Sequence, residues 1–247
     1  LWIRDLSSGK EYPITQDGEQ YYCYASSPIS WGRALNSNLQ ALWSPDSKSL
    51  FTVQTDNRQV NMTPVITYVP EGDIIRPQVK TYPQAYPGDI HVEEMRLVII
   101  DAETAVQTEI NYRRIPVNRT GWGLFTDGLG WWSESSNLAY FVETTRGEST
   151  ARVVEVDRGN GKTRVLFEEQ SESYVKLSLN RDSYATIMPL PTTRELIWYS
   201  ERTGWAHLYL YDLETGELKN PITNGNWVVR EVLHFDINNR QLYFQSS

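Results

Sequence analysis

Short hydrophobic runs closed by polar turn residues dominate the chain. Leu97-Val98-Ile99-Ile100-Asp101, Arg152-Val153-Val154-Glu155-Val156-Asp157 and Leu208-Tyr209-Leu210-Tyr211-Asp212 each end on an aspartate. Runs of this length, rich in β-branched and aromatic residues, predict strands. A turn follows: Gly159-Asn160-Gly161 after Asp157, Thr215-Gly216 after Asp212, and Ser8-Gly9 after Asp5 in the related run Leu1-Trp2-Ile3-Arg4-Asp5. Asp101, Asp157 and Asp212 are spaced by 56 and 55 residues. A second unit lies between these, a polar turn leading into a hydrophobic strand. It begins at Trp43-Ser44-Pro45-Asp46-Ser47-Lys48, at Trp132-Ser133-Glu134-Ser135-Ser136-Asn137, at Pro191-Thr192-Thr193-Arg194 and at Phe235-Asp236-Ile237-Asn238-Asn239. No segment carries an apolar stripe at helical spacing.

Two hairpin types that alternate four times predict four-stranded antiparallel blades stacked radially, an all-β β-propeller. A Greek-key sandwich does not account for the same turn chemistry returning at a near-constant period. Residues 1–247 read as a partial propeller, about four blades of a larger one, opening on an outer hairpin and closing on an inner one. That pattern sets the expectation of a fragment or a processed chain. Asp5 and Asp101 are 96 residues apart, and the excess falls near residues 56–95, which hold prolines at 64, 70, 77, 83 and 87. This predicts a stiff, non-helical insertion on the rim, an arm that is a candidate for a homodimer contact.

Composition narrows the function. Acidic residues outnumber basic ones, 31 to 23, for a formal charge of −8. Long-range repulsion of phosphate then argues against nucleic acid as a partner. No run approaches the length of an apolar membrane-spanning helix, so no membrane span is predicted. Cys23 is the sole cysteine, which excludes an intrachain disulfide and a cysteine-ligated zinc site and leaves the compartment open.

No catalytic residue is predicted within these residues. A Gly-x-Ser-x-Gly nucleophile elbow is lacking. The nearest string, Gly147-Glu148-Ser149-Thr150-Ala151, misses the last glycine and falls in a hairpin turn. His91, His207 and His234 lack metal-pair spacing, so neither metal nor cofactor is predicted. His207 reads as a structural histidine tying one blade to the next. The adjacent acids Glu93-Glu94 and Glu168-Glu169 read as solvated turn acids, because neighbouring strand residues face opposite ways.

Three stretches resemble the N-terminal propeller domain of the dipeptidyl peptidase IV family of serine exopeptidases. They are Ala41-Leu42-Trp43-Ser44-Pro45-Asp46 with Asp56-Asn57-Arg58-Gln59-Val60, then Tyr82-Pro83-Gln84-Ala85-Tyr86-Pro87-Gly88-Asp89, then Ser200-Glu201-Arg202-Thr203-Gly204-Trp205-Ala206-His207-Leu208-Tyr209-Leu210-Tyr211-Asp212. The last is the most specific of the three.

The resemblance implies a domain that walls off a hydrolase active site, admits short peptides through a central cavity and holds their free N-terminus. It also implies a C-terminal hydrolase domain in cis as a partner. In the family a pair of glutamates about ten residues before one Trp-Ser-Pro holds the amine. Here the matching place reads Ser30-Trp31-Gly32-Arg33-Ala34-Leu35-Asn36, and Gly32 and Arg33 stand where the glutamates would be. Trp31, Arg33 and Asn36 are therefore the candidate substrate-binding residues, with dipeptidyl specificity itself in question. The alternative expectation is a non-catalytic propeller that recruits a protein or glycan.

Overall fold

The computed structural model describes residues 1–26, 39–70, 72, 75–117, 124–125, 128–177 and 186–247. Among them are twenty strands and no helix. β1 (Trp2–Arg4) and β2 (Glu11–Pro13) form a hairpin. The first complete sheet contains β3 (Tyr22–Tyr24), β4 (Ala41–Trp43), β5 (Ser49–Asp56), β8 (Glu94–Asp101), β9 (Gln107–Glu109) and β10 (Ile115–Pro116). β3 and β4 lie end to end along one edge of β5, and β9 and β10 do the same along β8, so this sheet is four strands wide. The second sheet runs in order β11 (Gly130–Trp132), β12 (Leu138–Thr144), β13 (Thr150–Asp157), β14 (Thr163–Gln170). The third runs β15 (Ile187–Leu190), β16 (Glu195–Ser200), β17 (His207–Asp212), β18 (Leu218–Pro221), and a final hairpin pairs β19 (Val229–Asp236) with β20 (Gln241–Ser246). Every pairing is antiparallel. The architecture is thus all-β: half a blade, three complete blades and half a blade of a β-propeller.

The recurring aspartates are one structural device. Asp101, Asp157 and Asp212 are the last residues of β8, β13 and β17. Each Oδ1 accepts the backbone N–H groups two and three residues on: Glu103 and Thr104, Gly159 and Asn160, Glu214 and Thr215. Asp5 does the same with Ser7 and Ser8. The residue four positions after each aspartate then takes a left-handed backbone, with φ of +70° at Gly9, +58° at Ala105, +69° at Gly161 and +82° at Gly216. This is a type I turn closed by a left-handed residue, which turns the chain straight back as the outer strand. In the other hairpin type, Ser44 Oγ accepts the Ser49 N–H at 2.9 Å and Ser133 Oγ accepts that of Leu138 at 3.1 Å.

The central strands are buried on both faces, and period-two alternation divides their side chains between neighbouring blades. Leu50, Val98 and Ile100 pack with Ile3 and Ile14 of the first half-blade. Their neighbours Phe51, Val53, Leu97 and Ile99 face the second blade, where Phe51 meets Trp132 edge-on at 5.9 Å between ring centres. Leu196, Trp198, Tyr209 and Tyr211 of the third blade face the second, with Tyr211 stacked on Phe167 at 3.8 Å. Ile197, Tyr199, Leu208 and Leu210 face the last half-blade and Val232, Phe235, Leu242 and Phe244. Burial of one such side chain contributes about 1.5–3 kcal/mol, which makes the blade interfaces the main source of cohesion.

Between β5 and β8 stands a separate hairpin, β6 (Met62–Thr67) with β7 (Gln78–Pro83). Its prolines signal only stiffness in the sequence, yet Pro64 and Pro83 lie within paired strands. Both strands of a two-stranded sheet are edges, where a residue lacking an N–H is tolerated.

Candidate functional site

Register sorts the connections onto two rims. Ser49 pairs with Asp101, Leu138 with Asp157 and Glu195 with Asp212, so both repeated turn types lie at one end of the blades. The opposite rim receives most of the other connections. It takes the insertion between β5 and β8, the hairpin ends 145–149 and 201–206, and the connections from each outer strand to the next inner strand; the chain between β3 and β4 instead leaves the inner edge of the first blade, level with Val53 midway along β5. Varied segments on a rigid scaffold are where binding chemistry concentrates.

Trp31, Arg33 and Asn36 lie outside the described residues. The stem from which their segment leaves is described. Ala25 donates its N–H to the Val53 carbonyl at 2.8 Å, and Gln40 donates to the Ala25 carbonyl at 2.9 Å. Thr52 Oγ1 donates to the Gln40 carbonyl at 2.7 Å. The two ends of the segment are therefore bonded to each other and to β5.

Two ionic latches stand at the strand ends remote from the repeated turns. Glu143 on β12 is 1 % exposed and receives Tyr112 Oη at 2.5 Å, with Arg113 against its other oxygen and Arg152 at 3.5 Å. Tyr112 and Arg113 belong to the link between β9 and β10, so the latch joins the first and second blades. Burial, and then the hydrogen bond to Glu143, hold the Tyr112 hydroxyl well above its ordinary range. Nearer the insertion, Arg58 forks onto Asp56 at 2.9 and 2.7 Å, pairs with Glu19 at 2.7 Å and lies 3.9 Å above the Tyr22 ring.

The Ser200-Glu201-Arg202 stretch joins the second and third blades. Glu169 accepts Trp198 Nε1 at 2.7 Å, Ser200 Oγ at 2.6 Å and Arg202 at 2.7 Å. Arg202 also donates to Ser200 Oγ and Tyr211 Oη and lies 4.3 Å over the Tyr209 ring. Glu201 accepts from Lys176 at 3.1 Å and from Tyr199 Oη at 2.9 Å.

This corrects the expectation for the paired acids. Glu168 and Glu169 lie within β14, not in a turn; Glu168 pairs with Arg152 and Glu169 is nearly buried. Alternation sends them to opposite faces, and each face offers a cation across a strand or a blade boundary. Glu93 Oε1 accepts the Ala85 N–H, and Glu94 opens β8. His207 behaves as expected. It is 1 % exposed, and its Nε2 donates to the Gly225 carbonyl at 2.9 Å while Nδ1 faces Thr223 Oγ1 at 3.0 Å. A carbonyl can only accept, so Nε2 is the donor in this bond. The bonds fasten β17 to the connection that leads into β19. Gly147–Ala151 spans the hairpin end between β12 and β13, with Glu148 at φ +54°.

Among the described residues, no three His, Cys, Asp or Glu side chains gather where they could hold a metal ion. An open cleft of about 760 Å³ lies at the turn rim between the first and second blades, lined by Asp101, Thr104, Asn137, Asp157 and Arg158. These groups are already engaged: the aspartates bond their own turns, and Arg158 bonds Asp46 at 2.7 Å.

The sequence matches the family described as dipeptidyl peptidase IV (DPP IV) N-terminal region over residues 1–247. The chain belongs to this family. Dipeptidyl peptidase 4 of Arthroderma otae is 24% identical over 98% of this chain and 30% of its own length. Probable dipeptidyl peptidase 4 of Aspergillus flavus is 22% identical over 100% of the chain and 32% of its own length. The chain thus spans about a third of the length of these relatives. Among solved structures, dipeptidyl peptidase 4 of Porphyromonas gingivalis superposes with a TM-score of 0.75 at 18% identity, over 99% of this chain and 32% of that one. A dipeptidyl aminopeptidase IV assigned from Bacteroides ovatus gives 0.68 at 18% identity, over 99% and 36%. The Ser200–Arg202 part of the Ser200–Asp212 stretch acts as a blade-to-blade latch in the structure.

Sequence reasoning missed the acceptor of that latch, Glu169, and the buried stem residue Gln40. Their partners stand 33 and 85 residues away in the chain. The only available signal was an adjacent acid pair inside a strand-like run.

Proposed function

We propose that this chain is the substrate-gating and substrate-recognising propeller of a serine-type dipeptidyl or aminoacyl peptidase, with hydrolysis performed by a hydrolase domain C-terminal to it. The observation that carries the reading is the family match along all 247 residues of a chain that spans about a third of its relatives. The blades act as a wall with a fixed aperture, held by the latches at Glu143 and Glu169. Short peptides pass it because they lose little on threading; folded proteins do not. The segment between Ala25 and Gln40 supplies recognition, with Trp31, Arg33 and Asn36 as its candidates. An arginine repels a protonated N-terminus, but its fork suits a carboxylate or an acyl carbonyl, and Trp31 offers a face for an apolar side chain. The hairpin β6–β7 is the candidate homodimer contact, since Val69 and Ile75 near its end are 87% and 92% exposed.

An active-site-directed fluorophosphonate tests the assignment. The full-length protein is expected to take up one equivalent, with the label C-terminal to Ser247. A folded full-length protein that takes up none, and that instead captures a protein or glycan, would support the binding-module alternative.

A further inference from the structure

We infer that the second and third blades are latched at the turn rim through a resident water molecule, bound between Tyr140, Glu155 and Arg194. The seams on either side carry a direct ionic bond at this rim. Arg158 of the second blade reaches back to Asp46 of the first at 2.7 Å, and Arg240 of the final hairpin reaches back to Glu195 of the third blade at 2.8 Å. Arg194 is the counterpart of Arg240: each stands one residue before the second strand of its blade, with φ of +52°. Yet the carboxylate that Arg194 pairs with is Glu214 of its own blade, at 3.3 Å, with the Glu214 side chain 71% exposed. A pair so open to solvent contributes little.

Register sets what Arg194 meets across the seam. Trp131, Tyr140, Glu155 and Arg164 pair in a row across the four strands of the second blade. Phe141 meets Tyr112 of the first blade, so alternation turns its neighbour Tyr140, and the row with it, to the third. The matching rows read Leu42-Phe51-Ile99-Thr108 in the first blade and Met188-Ile197-Leu210-Asn220 in the third, apolar as far as the outer strand. The second blade thus sets a phenol and a carboxylate where its neighbours set core hydrocarbon. Glu155 Oε1 is taken by Arg164, at 3.1 and 2.9 Å. Glu155 Oε2 and Tyr140 Oη are buried and have no hydrogen-bond partner among the described residues, and Tyr140 as a whole is 1 % exposed. Burial first, and then the charge of Glu155, push the Tyr140 hydroxyl up to about 12, while Arg194 opposes the rise. Tyr140 is therefore within reach of both groups and in bonding geometry to neither.

The chemistry of the three groups selects the ligand. Glu155 Oε2 only accepts, the Arg194 guanidinium only donates, and the Tyr140 hydroxyl does either. A molecule that both donates and accepts satisfies all of them. An anion would meet the Glu155 carboxylate, and a cation would meet Arg164 and Arg194. Water carries no charge and finds here the two to four polar partners that a buried water requires. It turns two costly orphaned groups into a bridge from blade to blade.

Two measurements on the full-length protein test this. A crystal structure fine enough to show ordered water should place one at about 2.6–3.2 Å from both Tyr140 Oη and Glu155 Oε2. Tyr140→Phe, which deletes the hydroxyl and keeps the ring, should lower the thermal midpoint of the propeller by about 1–3 °C, because the bridge loses a partner. An orphaned hydroxyl gives the opposite sign, since its removal relieves a buried, unpaired polar group. Arg194→Met should lower the midpoint similarly, and the double variant Tyr140→Phe/Arg194→Met should fall short of the sum of the two, because both act through one water. A site without water, a direct bond from Tyr140 to Glu155 or Arg194, a raised or unchanged midpoint for Tyr140→Phe, or additive effects in the double variant would each overturn the inference.

Discussion

Replacing Gly161 with alanine tests whether the repeated Asp turns hold one blade to the next or merely reverse the chain. Gly161 and Gly9 are equivalent, four residues after their aspartates, with φ of +69° and +70°. A Cβ on Gly9 would meet nothing within 4 Å, whereas one on Gly161 would stand 2.0 Å from the Glu109 carbonyl oxygen of the preceding blade. That strand is held close, because Asn111 donates its N–H to the Gly161 carbonyl at 2.8 Å. The left-handed backbone alone costs alanine about 1 kcal/mol, and Ala105 already occupies the same position in the first blade at φ +58°. Gly9→Ala should therefore lose about 1 kcal/mol. Gly161→Ala adds overpacking of about 1–3 kcal/mol and one interblade hydrogen bond of about 1 kcal/mol, for roughly 3–5 kcal/mol in all. At about 2–4 °C per kcal/mol for domains of this size, thermal unfolding should separate the variants, a few degrees for Gly9→Ala and on the order of 10 °C for Gly161→Ala. Gly216, whose Cβ would stand 2.2 Å from the Leu166 carbonyl oxygen, should behave like Gly161. Equal midpoints for the Gly9 and Gly161 variants would refute the interblade role.

Glu169→Ala leaves the indole N–H of Trp198 and the hydroxyl of Ser200, both 0 % exposed, without their acceptor. It should destabilise by about 3–5 kcal/mol in denaturant unfolding, with Glu169→Gln retaining more than half of that. Burial of the Glu195 carboxyl would raise its pKa, but bonds from Arg240 and Lys219 outweigh this and hold it at about 2, below its ordinary 4.5. Its contribution is present above pH 4.5 and lost as pH falls towards 2, so Glu195→Gln should flatten the stability profile in that window and leave the slope at neutral pH unchanged. Arg33→Ala should raise KM of the full-length enzyme by about ten- to a hundredfold if the guanidinium meets a carboxylate or carbonyl of the peptide; an unchanged KM assigns Arg33 to fastening its own segment.

The blades were legible in the sequence because their turns are local. An aspartate that accepts N–H groups two and three residues on leaves a signature confined to five positions, and it recurs at Asp5, Asp101, Asp157 and Asp212. The same locality explains why His207 was readable, since Thr223 and Gly225 lie in the next connection. The latches were not readable. Glu169 reads as a solvated acid until the third blade is stacked beside it, because Trp198, Ser200 and Arg202 approach from another sheet. Gln40 is a polar residue within a hydrophobic run, and its bond to the Phe125 N–H shows only once the approach to β11 stands beside it. The insertion after Asp56 showed as a break in period and a series of prolines, which report stiffness but not the pairing of Met62–Thr67 with Gln78–Pro83.

The most direct test of the central claim is mass-spectrometric analysis of unblocked peptides incubated with the full-length protein. The account predicts release of one- or two-residue fragments from the N-terminus of short peptides, abolished by a serine-directed inhibitor, with folded proteins left intact. Intact peptides after incubation with folded full-length protein, or cleavage that persists with the inhibitor present, would contradict it.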